Sequence, residues 1–192
     1  MNIDKIHRIY NIIKTQILYK TGLKHLGKSV IILSPLKVNK KRNIEIGDYT
    51  TIGYKAWLGA TPSTGCNTCE LIIGSNCSIG NFNHIYATQR VMIGDSVLTA
   101  DKVYISDNIH GYEDITQPVI KQKIVQKKTV VIGDGSWIGE NVCVIGASIG
   151  KHCVIGANSV VTRNIPDYCI AVGSPAKVVK YYDKESNKWK KV

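Results

Sequence analysis

The chain has 192 residues and a formal charge of +11, a length that fits one domain with its own core. No apolar run is long enough to span a bilayer, and the N-terminus lacks the compact apolar stretch and small-residue cleavage site of a secretory signal, so a cytoplasmic protein is expected. The charge is uneven, +8 over residues 1–45, −1 over 46–174 and +4 over 175–192, and without a recognised motif or interleaved aromatics it does not point to nucleic acid.

Residues 3–20 place Ile3, Ile6, Tyr10, Ile13, Ile17 and Leu18 at helical spacing, with Lys5, Arg8, Lys14 and Lys20 between them. This pattern predicts a basic amphipathic helix within a basic N-terminal segment, residues 1–43. Two placements are open: peripheral contact with a membrane surface, at the inner face of the membrane, or packing on the rest of the protein or between subunits.

From residue 44 the chain beats in sixes. Ile46-Gly47, Ile52-Gly53 and Leu58-Gly59 are six apart, as are Ile73-Gly74 and Ile79-Gly80. Ile93-Gly94 follows a two-residue slip, and the beat resumes at Ile132-Gly133, Ile138-Gly139, Ile149-Gly150 and Ile155-Gly156. A period of six suits neither a helix nor an ordinary strand. Three such sides close one coil of a parallel β-helix, ~18 residues per turn, so an all-β domain is predicted over 44–180. The aliphatic residue should point inward, and the glycine after it should take a tight corner, where positive φ is open to it. The small residue four places on should also point inward: Thr50, Ala56, Cys77, Val97, Ser136, Cys153 and Ser159. Cys77 and Cys153 are then core fillers. Cys66 and Cys69 have zinc-like spacing, but no second pair completes four ligands, so no metal is expected.

Asn83 falls on one of the small inward slots, where a buried amide must find partners. His84 beside it points outward, and Trp137 lies on the outer wall. Residues 106–128 carry no repeat. A regular β-helix has walls without pockets, so chemistry is expected from this excursion, which is long enough to reach a neighbouring subunit. His110 is its only histidine. A neutral imidazole is the residue type suited to take a proton near neutral pH. Glu113 and Asp114 are either its orienting partners or a solvated acidic turn. Between Ser148 and Gly150 the beat is one residue short, which marks an irregular corner near Gly146 and Ala147. Residues 181–192 are expected to form a short exposed tail or helix.

The runs "IGDYTTIGYKAWLG" and "IGDGSWIGENVCVIGASIGKHCVIGANSVVTRNIPDYCIAVGSPAKVVK" resemble the left-handed β-helix acyltransferases, over about residues 44–180. The segment "IGANSVVTRNIPDYCIAVGSPAKVVK" is similar to the closing segment of the maltose, galactoside and polysaccharide O-acetyltransferases. Residues 1–43 depart from the helical N-terminal domain of the maltose/galactoside branch. With "DKESNKWKKV" at the other end, they point to acetyltransferases of capsule, O-antigen or exopolysaccharide assembly.

The resemblance implies a homotrimer with active sites between subunits, acetyl-coenzyme A as acyl donor and a carbohydrate acceptor. It places His110, in "DNIHGYED", at the catalytic histidine, with a backbone amide expected to hold the oxyanion. It places Asn83 at an acceptor contact and Trp137 in the active-site groove. Ala157, Thr162 and Arg163 match cofactor contacts, Arg163 standing for a common lysine. Exposed amides at Gly146 and Ala147 are expected to meet the pantetheine, and Lys177 and Lys180 the nucleotide phosphates. Glu140 stands where the galactoside branch has a serine, which leaves that contact open. The expected activity is O-acetylation of a surface-polysaccharide sugar or its precursor. The rivals are transfer to a free small acceptor (a simple sugar, amino-sugar nucleotide or antibiotic) and a non-catalytic scaffold binding through its basic ends.

Overall fold

The computed structural model describes residues 3–192. Among these residues the chain winds through three sheets of five, nine and six strands, and a separate two-stranded hairpin leaves the wall. Each coil visits the three sheets in turn, as in Arg90–Ile93, Leu98–Thr99 and Tyr104–Ser106. Stacked coils pair in parallel and in register. Leu26, Ile46, Ile73, Ile93 and Ile132 form one ladder, and Val38, Leu58, Ile85, Ile105, Val144 and Val161 form another. The ladders face inward and make one continuous core, in which each buried Ile or Leu contributes ~1.5–3 kcal/mol. All seven small inward residues are at most 2% exposed. The Cys77 and Cys153 thiols lie 3.0 Å from the carbonyls of Gly94 and Pro166, and burial pushes both thiols up.

The glycines serve a different purpose from the one expected. Positive φ falls two residues later, at Tyr49, Asn76, Ser96 and His152 on one corner and at Phe82, Lys102, Asn141 and Asn158 on the next. The glycine is needed for close approach of the coils: a Cβ at Gly47 would lie 2.6 Å from Ser75 N, and one at Gly80 would lie 2.3 Å from Ala100 O. Stacked strands sit only ~4.8 Å apart, so corner backbones leave no room for a methyl group.

The β-helix also begins earlier than residue 44. Strands His25–Leu26, Ile31–Ile32 and Lys37–Asn39 form a complete first coil inside the expected N-terminal segment. Its hexad pattern is weaker: a single aliphatic–glycine pair, Leu26-Gly27, stands there with no second pair six residues on. The predicted helix, α1, spans Ile3–Tyr19. It docks by its polar edge: Thr15 Oγ1 accepts from Ile32 N at 2.9 Å, and Gln16 Nε2 donates to Gly27 O at 2.9 Å. Ile31–Ile32 is the open edge of its sheet, and Thr15 satisfies an amide that would otherwise be free. The six apolar residues of the predicted stripe are all exposed, from 40% at Ile6 to 74% at Ile17. No helix among the described residues is long and apolar enough to cross a membrane.

The C-terminus is neither tail nor helix. Lys177–Asp183 pairs antiparallel with Cys169–Val172, and Lys188–Lys191 folds back on it. The turn is tied at Asp183, which accepts from Ser186 Oγ at 2.6 Å and pairs with Lys190. A lysine-rich antiparallel hairpin thus closes the far edge of the longest sheet.

Candidate active site

The excursion is a two-stranded arm. Asn108–His110 pairs antiparallel with Ile124–Gln126, with His110 directly opposite Ile124. Its root is Asp107, which is fully buried. The carboxylate accepts from the backbone N of Thr88, Gln89 and Arg90 at 2.7–2.8 Å and from Asn108 Nδ2 at 3.1 Å. Its own carbonyl accepts from Gln126 Nε2 and Lys127 N, both at 2.8 Å. One residue therefore binds a coil corner to both legs of the arm. Burial by itself would raise the carboxyl, but the amide donors outweigh it and hold it below the ordinary range. Asp107 is not among the residues that the repeat pattern singles out. Its signal was an acid placed where the wall pattern stops.

The arm overhangs the outer face of the third sheet and encloses a cavity of about 230 Å³. His110, Asn108 and Ile124 come from the arm, and Trp57, His84, Tyr86 and Tyr104 come from the wall. His110 is exposed at its rim. Asp114 does not orient it: its carboxylate accepts from Thr116 N and Oγ1 and from Gln117 Nε2, which closes a local turn. Glu113 is exposed.

A second, more open cavity of about 630 Å³ lies at the corner where the arm returns. It gathers Gly146, Thr162 and Arg163, three of the residues expected near the cofactor, with Lys127 and Lys128, which had been assigned only to the excursion. Three cations round one hollow suit a polyphosphate. Gly146 is required here, with φ of 56° and the Lys127 side chain 2.4 Å from where a Cβ would stand.

Other expected contacts fall elsewhere. Asn83 is fully buried, and Asn81 O, Ala100 O and Thr99 Oγ1 satisfy its amide at 2.9–3.3 Å. It is a core hydrogen-bonding residue out of reach of an acceptor, because the inward slot leaves no route to the surface. The Gly146 amide donates to Ser106 O at 2.9 Å, so it is not a free donor, and Ala147 is buried. Trp137 is half exposed on the second sheet, in line with Leu98 and Val154. Lys177 and Lys180 continue that sheet opposite Val172 and Ile170, and exposed Ala157 lies on the adjoining corner. Glu140 pairs with Lys102 at 3.3 Å. Within one chain, the residues expected to meet coenzyme A thus occupy two separate faces. Among the described residues, no group of three His, Cys, Asp or Glu is arranged to hold a metal.

Comparison with known proteins agrees with the coil. Residues 129–163 match the family model described as "Hexapeptide repeat of succinyl-transferase". A probable acetyltransferase of Mycobacterium tuberculosis is 42% identical over 160 residues, 83% of this chain but only 50% of that protein. The putative lipopolysaccharide biosynthesis O-acetyltransferase WbbJ of Escherichia coli is 33% identical over 168 residues, covering 84% of this chain and 83% of that one. The fold is shared with the N-acyltransferase AntD of Bacillus cereus, solved with dTDP and 3-hydroxybutyryl-coenzyme A, at a TM-score of 0.73, 20% identity and 90% coverage of both chains. The chain spans half the length of its mycobacterial relative and most of the other two. With its stacked hexapeptide coils and a relative alike over nearly its whole length, it belongs to the hexapeptide-repeat acyltransferase family.

Proposed function

We propose that the chain transfers acetyl from acetyl-coenzyme A to a sugar hydroxyl of a bacterial surface polysaccharide or its precursor. The observation that carries this is one arm serving two cavities, with His110 over an aromatic hollow and Lys127 and Lys128 beside Arg163 in a cationic one. His110 takes the proton of the acceptor hydroxyl as that oxygen adds to the thioester carbonyl carbon. When the C–S bond breaks, the imidazolium returns the proton to the leaving sulfur. The cationic cavity fits the phosphates of the donor. The E. coli relative, named for lipopolysaccharide biosynthesis, supports a glycan acceptor.

The same reading takes the β-helix as left-handed and the assembly as a homotrimer with the site between subunits. Two observations support an interface. The expected cofactor residues occupy separate faces that a neighbouring subunit would join. At the arm tip, Ile115 and Ile120 are 97% and 88% exposed, a poor arrangement for a lone chain in water.

Thiol release from acetyl-coenzyme A across sugars and purified glycans tests the activity. Arg163→Ala is expected to raise the KM for acetyl-coenzyme A by about 10–100-fold with kcat little changed, the loss of one charge-assisted contact. Absence of both thiol release and a thermal shift with acetyl-coenzyme A would leave the scaffold reading instead.

The exposed apolar face of α1 lies opposite its docked edge and is flanked by Lys14 and Lys20, which supports peripheral contact with anionic membrane. In vesicle flotation, Ile13→Asp with Ile17→Asp should abolish recovery with anionic liposomes. Wild-type protein that stays at the bottom of the gradient removes the idea.

A further inference from the structure

The cavity under His110 contains a second imidazole. His84 stacks on Trp57, with ring centroids 4.2 Å apart and planes 10° from parallel, and meets Tyr104 edge-on at 5.2 Å. Lys37 Nζ lies 5.0 Å from the centre of the Trp57 ring. Strand register sets Lys37, Trp57, His84 and Tyr104 in one row across four neighbouring strands. The imidazole is therefore packed on both sides. Yet His84 Nε2 and Trp57 Nε1 are buried with no hydrogen-bond partner among the described residues. Tyr86 stands edge-on to both rings at 6.2 Å. Gly59 lets it lie there, since a Cβ at that position would be 2.5 Å from Tyr86 Cδ2. Burial also lowers the His84 pKa, which keeps the ring neutral near pH 7.

A buried polar atom without a partner is costly, and each one in a native structure calls for an explanation. Phenylalanine would fill the same stack without that cost. A ligand that completes the bonding is the explanation the cavity itself supports. None of its lining residues is a lysine, arginine or carboxylate. The walls offer aromatic surface and neutral hydrogen-bonding edges. An uncharged sugar ring presents the complement, apolar C–H faces and hydroxyl edges, whereas a phosphate would find no counter-charge among the lining residues, Lys37 being engaged on the Trp57 ring.

We propose, resting on the acyl-transfer reading above, that this cavity seats the acceptor as an uncharged sugar ring. His84 and Trp57 hydrogen-bond its hydroxyls and present one of them to His110, and half-buried Tyr86 swings aside to admit it. Any nucleotide or diphosphate carried by the sugar lies outside.

Saturation-transfer NMR with coenzyme A present tests this. The probes are the methyl glycosides of glucose, galactose and N-acetylglucosamine and the corresponding UDP-sugars. Ring protons of at least one methyl glycoside and of its UDP-sugar should be saturated, with little transfer to uracil. His84→Phe should weaken that binding at least 10-fold while its melting temperature holds or rises, because the stack survives and the unpartnered nitrogen is gone. A residue needed only for packing would not separate the two readouts in this way. Trp57→Phe, which loses only the indole N–H and part of the stack, should weaken binding as well. No ring saturation with any probe, saturation confined to uracil, or unchanged binding in both variants overturns the proposal. The acyl-transfer reading fails separately, through loss of acetyl-coenzyme A binding and thiol release in the wild-type protein.

Discussion

Replacing His110 by alanine is expected to lower kcat by about 10²–10⁴-fold, the usual contribution of a positioned general base. The side chain sits exposed at the end of the arm strand Asn108–His110, so its removal opens no core cavity and breaks no coil contact. The melting temperature and the KM for acetyl-coenzyme A should stay near their wild-type values. Steady-state kinetics with the best glycan acceptor, alongside a thermal melt, checks both halves. Activity within a few-fold of wild type would show that another group takes the proton. His84, in the same cavity, would then be the next candidate.

Asp107→Ala should be the most destructive single change near the site, costing on the order of 3–5 kcal/mol. The buried Thr88 amide left without a partner costs about 1–3 kcal/mol, and the part-buried amides of Gln89 and Arg90 lose theirs with it. Because the same residue roots both legs of the arm, activity should fall along with stability. Asp107→Asn is the milder probe. It keeps the shape but turns an NH₂ towards backbone donors on one side. The folded-state pKa of Asp107 lies below its ordinary value. Its stabilisation is therefore fully present above the unfolded pKa of about 4 and is lost as pH falls through that value towards the lower folded one. Denaturant melts between about pH 5 and 2 should show a steeper loss for wild type than for Asp107→Asn. Parallel slopes would mean that Asp107 does not carry this dependence.

The wall was legible because its rules are local. Aliphatic and small residues recur on the hexad, so that they face inward follows from spacing, whereas the stacking of Ile46 on Ile73 on Ile93 across coils of unequal length comes from the structure. The glycines mark the corners, but positive φ falls two residues beyond, as at Tyr49 and Asn76. Their purpose is interstrand clearance, which involves atoms from the next coil and has no trace within a single hexapeptide. The N-terminal coil carries a single aliphatic–glycine pair, Leu26-Gly27, and the C-terminal hairpin none, so neither shows the repeated beat that marks the wall from Ile46 on.

The site divides along the same line. Sequence pattern located the excursion, singled out His110 within it, and put Trp137 outward and Asn83 inward. It did not determine that inward placement seals Asn83 among its own hydrogen bonds. Nor did it bring Lys127 and Lys128 to Arg163, or Trp57, His84 and Tyr104 into one row beneath the arm. Periodicity records only whether a side chain faces the core or the solvent. Which outward residues become neighbours depends on coils of unequal length and on how the arm folds back over the wall. Those are distances between remote parts of the chain, and tertiary structure alone decides them.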